Sequence, residues 1–230
     1  MIAHRSQLHA VPDDLGDDTA IMIEPMACAL HAVRRASVGR DATVLVVGAG
    51  TVGALTVLAL REATEAGKII TVAKHAHQAA LARRFGATEV VEPRDALAAV
   101  RRETRAFRLH PERSSPFLLG GVDMAFECVG SKDGLDLALR ATRARGTVVL
   151  SGMPARADLT PAWFRELQLV GAYAGSGAFD DAVRLAADAG LGDLVGATYP
   201  LDRWREAIDH ALQAGKLGTV KVAFDPRSVN

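Results

Sequence analysis

From residue 43 onward the chain alternates short unbroken apolar runs with longer stretches of helical periodicity. Thr43-Val-Leu-Val-Val47 reads as a strand buried on both faces, and the apolar run Ala54–Leu60 behind it reads as a buried helix. Lys68-Ile-Ile-Thr-Val-Ala73 gives a second strand, His77–Phe85 a helix ended by Gly86, and Glu89-Val-Val91 a short third strand. A helical region rich in Ala and Arg and a loop with Pro111 and Pro116 lead to a fourth strand, Val122–Val129. Leu135–Arg143 follows as a helix, Gly146–Leu150 as the fifth strand and Leu167–Tyr173 as the sixth. This order of elements predicts two mononucleotide halves in a doubly wound parallel α/β sheet of the Rossmann type, with strand order 3-2-1-4-5-6. Phe179–Gly190 and Arg203–Ala214 read as amphipathic helices that return the chain to its end. The expected division is a lead segment over 1–40, a dinucleotide-binding domain over 41–180 and a return segment over 181–230.

The first strand runs directly into Gly48-x-Gly50-x-x-Gly53, and a helix follows at once. In that context Gly48 allows a tight turn, Gly50 lets backbone approach a pyrophosphate, and Gly53 lets the helix sit close on the strand. Thr51 and Val52 open the helix whose free N–H groups and positive dipole end would meet the diphosphate. A nicotinamide or flavin dinucleotide fits this pattern; S-adenosylmethionine methyltransferases carry similar glycine loops and form the alternative.

Composition removes several other classes. The 230 residues carry 27 basic and 27 acidic side chains, with a pI near 7.1, which supports neither nucleic-acid binding nor docking on an anionic membrane. Cys28 and Cys128 are too few for a disulfide framework and point to a reducing cytoplasm. The N-terminal residues hold no apolar signal-peptide region. Val44–Leu60 is apolar enough to imitate a membrane span, but its three glycines in phosphate-loop spacing mark a buried unit instead.

An enzyme that uses NAD usually places Asp or Glu at the end of the second strand, where it bonds the ribose 2′-hydroxyl. Here that place holds Ala73, followed by Lys74 and His75. A missing acid and an added cation both favour NADP, with NAD the alternative. Cys128, Val129 and Gly130 after the fourth strand, and Ser151, Gly152 and Met153 after the fifth, lie where open α/β sheets bind ligands. Cys28 and His31 have a C-x-x-H spacing, but no second pair completes a metal site, so Cys28 reads as a small helix residue and His31 as a polar residue that lines the cofactor cleft or is simply packed. No metal site is expected from this chain alone. Neither tyrosine, Tyr173 or Tyr199, has a lysine four residues on, which argues against a Tyr-x-x-x-Lys acid–base pair.

Val11-Pro-Asp-Asp14, Ile23-Glu-Pro-Met-Ala-Cys-Ala-Leu-His-Ala-Val33, Val47–Gly53, Ala82-Arg-Arg-Phe-Gly-Ala87, Phe126-Glu-Cys-Val-Gly130, Gly146–Met153 and Gly215-Lys-Leu-Gly-Thr-Val-Lys-Val222 occur in one order. Together they resemble the medium-chain dehydrogenase/reductase superfamily, in its zinc-dependent alcohol, sorbitol and threonine dehydrogenase branch. The resemblance implies hydride transfer between an alcohol and a ketone or aldehyde, and a homodimer joined through the last sheet strand. It puts Glu24 where this branch completes or backs up a catalytic zinc shell; a helix-boundary glutamate beside a helix-breaking proline is the plainer reading. Members begin with a GroES-like substrate domain that supplies the other zinc ligands, and this sequence contains none of it. Zinc is therefore expected only if such a domain is supplied. A non-catalytic, dimerising NADP(H)-binding module and a zinc-independent reductase are the competing expectations.

Overall fold

The computed structural model describes residues 4–5, 8–112, 115–152, 156–174 and 176–227. Six strands form one parallel sheet: β1 (Thr43–Val47), β2 (Lys68–Val72), β3 (Glu89–Val91), β6 (Val122–Glu127), β7 (Thr142–Leu150) and β8 (Gln168–Gly171). Their order is β3-β2-β1-β6-β7-β8, which is the expected 3-2-1-4-5-6 arrangement counted within the sheet. The chain reverses direction across the sheet at β1, whose two neighbours are β2 and β6, and this opens a crevice at the strands' carboxyl ends.

The short α1 (Asp17–Ala20) precedes α2 (Ile23–Ala36), and α4 (Ala76–Arg84) joins β2 to β3. Alternate residues of each strand bury into separate cores. Val44, Val46, Ile69, Met124 and Phe126 pack against α2, α3 (Thr51–Ala63) and α8 (Phe179–Asp188). Leu45, Val47, Ile70, Val72 and Ala125 pack on the opposite face against α5 (Ala96–Thr104) and α6 (Lys132–Ala141). Burial on both faces is why these strands read as continuous apolar runs.

Three features differ from the sequence expectation. The loop around Pro111 and Pro116 is flanked by a small antiparallel hairpin, β4 (Phe107–Leu109) with β5 (Phe117–Leu119). Pro25 does not break a helix: it lies in the first turn of α2, where its missing N–H has no intrahelical partner to lose. The return segment contains α9 (Trp204–Leu217) and a parallel strand pair, β9 (Val195–Tyr199) with β10 (Lys221–Phe224). This segment is fastened to the glycine loop, because the Thr51 hydroxyl donates to the Val220 carbonyl at 2.9 Å.

Arg165, beyond α7 (Thr160–Phe164), is a structural cation. Its buried guanidinium donates to the carbonyls of Thr142 (2.6 Å), Pro161 (3.2 Å) and Leu139, closing the carboxyl end of α6 onto β7. Burial, then the neighbouring Arg140 charge, draws its pKa down to about 10, which leaves it cationic at neutral pH.

Candidate functional site

The turn between β1 and α3 has the geometry its glycines permit. Gly48 has φ +96°, a left-handed conformation, and a β-carbon there would stand 2.6 Å from Val129 Cγ2. At Gly53 a β-carbon would collide with the Gly48 carbonyl, so the helix can seat on the turn only without a side chain. Gly50 is different, since nothing lies within 4 Å of the position its β-carbon would take. It borders open space at the helix entry. No side chain caps α3, and the first-turn N–H groups are left for a ligand.

That open space is a cleft of about 670 Å³ along the carboxyl ends of β1, β2 and β6. Val72, Pro93, Val129 and Leu137 give it an apolar slot, while Lys74, His75, Gln78 and Asp133 supply polar groups at its edge. Sequence alone does not single out Pro93, Gln78, Asp133 and Leu137, because they come from three separate stretches that only folding brings together. The volume falls within the range of small-molecule and cofactor sites. Among the described residues, no carboxylate pairs with the exposed Lys74 ammonium, and no acid ends β2. The His75 ring lies 5.7 Å from that of His77 and reaches toward α9, 2.5 Å from where a Gly215 β-carbon would be. Burial, then the neighbouring His75, holds the His77 pKa below its usual value.

The far wall is the turn after β6. Glu127 ends that strand fully buried, and its Oε1 accepts the Val129 N–H at 2.9 Å and the Gly130 N–H at 3.0 Å. Its backbone carbonyl accepts the N–H groups of Ser151 and Gly152, at 3.0 and 2.9 Å. One residue therefore ties together both of the predicted ligand turns. Burial pushes the Glu127 carboxyl above its ordinary range, against the opposing pull of backbone N–H groups. The Cys128 sulfur sits 3.8 Å from Thr56 Oγ1, and burial pushes this thiol up to about 12. It is a packed, protonated group. Ser151 Oγ is buried beside it without a conventional hydrogen-bond partner.

Glu24 and Cys28 lie on one face of α2, not on opposite sides of a helix break. The Cys28 thiol donates to Glu24 Oε1 at 3.1 Å. Both line a second, smaller cleft of about 260 Å³ with Val52, Ser151 and Tyr173. His31, one turn further along α2, does not line it. Among the described residues, no three His, Cys, Asp or Glu side chains converge as a metal site, so these residues do not fit a bound zinc. Met153 lies outside the described residues.

Comparison with known proteins brings these pieces under one heading. A family profile described as zinc-binding dehydrogenase matches residues 51–188. The L-idonate 5-dehydrogenase of Vitis vinifera is 34% identical over 178 residues, which cover 75% of this chain and 46% of that protein. A sorbitol dehydrogenase of Arabidopsis thaliana is 34% identical over 166 residues, covering 71% and 43%. A solved structure described as a zinc-binding dehydrogenase from Sinorhizobium meliloti, bound to NADP, superposes with a TM-score of 0.74 at 28% identity, covering 94% of this chain and 61% of that one. The chain thus spans about half the length of the curated relatives it matches. With the parallel sheet, the glycine turn and the matched profile in agreement, the chain belongs to the zinc-binding dehydrogenase family, the zinc-type branch of the medium-chain dehydrogenases and reductases.

Proposed function

We propose that this chain is the cofactor-holding part of an NADP(H)-dependent oxidoreductase of the alcohol dehydrogenase type, which moves hydride between an alcohol and a ketone or aldehyde. The observation that carries the reading is the uncapped start of α3, opening through Gly50 onto a cleft whose rim holds Lys74 and no acid at the end of β2. The NADP-bound relative and the polyol and sugar-acid activities named for the plant relatives support it.

The proposed roles follow from placement. First-turn N–H groups of α3 bind the diphosphate, and Lys74 and His75 meet the 2′-phosphate of the adenosine ribose. The turns at 128–130 and 151–152 wall the path toward the small cleft, where Glu24 and Ser151 would face the reacting end. The nicotinamide, when bound, supplies or accepts the hydride, and the protein's own part is to orient it and exclude water. Titrating the purified chain with NADPH and NADH, followed by nucleotide fluorescence, tests the reading; binding of neither would overturn it.

A second reading has its own support: the described residues bring no metal-ligand set together, as suits a binding module without redox chemistry. Turnover of alcohols by the purified chain, with and without added zinc, separates the two. A homodimer is also proposed, through the unpaired edge of β8, where Leu169 is 38% and the adjoining Tyr173 91% exposed. Cys28 and Cys128, both reduced thiols, support a reducing cytoplasm as its location. No described helix is long and apolar enough to cross a membrane.

A further inference from the structure

A buried glutamate inside a Rossmann strand needs a physical reason. Taking a carboxylate out of water is costly unless hydrogen bonds replace hydration. Glu127 has replacements: Oε1 takes the N–H groups of Val129 and Gly130, and Oε2 takes the Gly130 N–H again at 3.1 Å. The surrounding chain leaves room for it. A β-carbon at Gly134 would stand 2.7 Å from Oε1, and one at Gly152 would stand 2.5 Å from Oε2. Glycine at 134 and 152 is thus what lets α6 and the turn after β7 close over the carboxylate.

The consequence reaches the cleft through Val129. Its N–H is held by Glu127, and its Cγ2 stands against Gly48 in the left-handed turn. Val129 is otherwise 54% exposed and lines the large cleft. We propose that Glu127 is a positioning residue for dinucleotide binding: its carboxylate holds the 128–131 turn against the Gly48 loop in the shape that admits the cofactor. This rests on the cleft being a dinucleotide site.

The ionised form does this best. A carboxylate accepts at both oxygens as a charged partner, whereas protonation at Oε2 leaves Oε1 a neutral, weaker acceptor and sets an O–H beside the Gly130 N–H. Burial raises the Glu127 pKa, so protonation comes at a higher pH than for an ordinary glutamate. The turn should therefore loosen, and affinity fall, as pH drops through that raised value. The titratable neighbour packed against it is the Cys128 thiol, which stays protonated throughout the range because its own pKa is about 12. His75, His77 and Asp133 stand at or near the cleft in both the parent and a Glu127 variant, so the difference between the two isolates Glu127.

Glu127→Gln keeps the shape but places an amide donor against backbone donors. NADPH binding to the full chain should weaken by about tenfold at pH 8, the size expected for losing a charge-assisted hydrogen bond. The gap should close as the pH falls into the acid range and the parent protein loses its own carboxylate. Amide hydrogen exchange at Val129 and Gly130 should quicken in the variant whether or not nucleotide is present, while cooperative thermal unfolding shows that it is folded. If the variant does not fold, the parent's pH profile, with lower protection of Val129 and Gly130 relative to their intrinsic exchange rates in acid, tests the same point. Equal affinity in a folded Glu127→Gln, unchanged exchange, or a gap that stays constant from pH 8 down to about pH 4 would overturn the proposal. Failure of the parent chain to bind any dinucleotide would overturn the reading of the cleft and this proposal with it, a result distinct from a parent that binds and a variant that binds as well.

Discussion

The large and small clefts both border the Gly48–Gly53 loop, yet they are built very differently. The large one, about 670 Å³, draws on β1, β2 and β6 and on the turns that follow them, and it has an uncapped helix N-terminus, an exposed lysine and an apolar slot. The small one, about 260 Å³, has one carboxylate, one thiol and one serine, from α2 and the turn after β7. Holding a dinucleotide needs backbone donors in the right place and one well-placed cation, which a single α/β sheet can furnish. Lewis-acid chemistry needs three or more convergent ligands, which the described residues of this chain do not assemble. On the function proposed above, the contrast separates binding from chemistry within one fold.

The sharpest way to probe the comparison is through the loop both clefts share. Gly50→Val places a branched side chain in open space, so the fold should survive while dinucleotide affinity drops by roughly a hundredfold or more, since several charge-assisted contacts are blocked together. Gly53→Ala should do the reverse and attack the fold, because its methyl group meets the Gly48 carbonyl; overpacking of this kind costs about 1–3 kcal/mol. Thermal unfolding and nucleotide titration on both variants check this. Unchanged NADPH affinity in a folded Gly50→Val would sink the loop assignment.

Lys74 tests the large cleft alone. Removing it with Lys74→Ala should weaken NADPH by about 1.5–3 kcal/mol and leave NADH nearly unchanged, as a phosphate contact requires. Equal losses for both nucleotides would move the phosphate elsewhere.

Much of the large cleft was legible in the sequence, because its parts are local. Strand, glycine turn and helix are consecutive, and Lys74 is found by counting to the end of the next strand. The small cleft was misread at Pro25, since a proline in a helix's first turn and one that ends a helix look alike until the N-terminus is located. The β4–β5 hairpin hid in strands of three residues with Phe107 67% exposed, which leaves no alternation to detect. Glu127 did carry a signal. A single acid inside the apolar run Met124-Ala-Phe-Glu-Cys-Val129 is costly to bury, and such a residue must have partners.

Cys128 and Cys28 offer a smaller test, one thiol in the wall of each cleft. Both cysteines are half-buried, but the Cys128 thiol, pushed up to about 12, should resist iodoacetamide at pH 8 in the folded chain, whereas Cys28 should react. Peptide mapping after labelling reads this directly, and NADPH should leave the Cys128 result unchanged. Rapid labelling of Cys128 in a folded sample would mean the 128–131 turn opens more readily than its hydrogen bonds imply.

The smallest effect is expected at Glu24. It is exposed, and its contact with the Cys28 thiol is a weak donor–acceptor pair at the mouth of the small cleft. Glu24→Ala should change stability by less than about 0.5 kcal/mol, as surface substitutions usually do, and should leave NADPH affinity within about twofold. One carboxylate and one thiol cannot fill a tetrahedral shell, so elemental analysis of the purified chain should find no stoichiometric zinc in either form. Added zinc should likewise stimulate no alcohol oxidation by the chain alone. About one tightly held zinc per chain, lost on Glu24→Ala, would break the contrast between the two clefts and make the smaller one a metal centre in its own right.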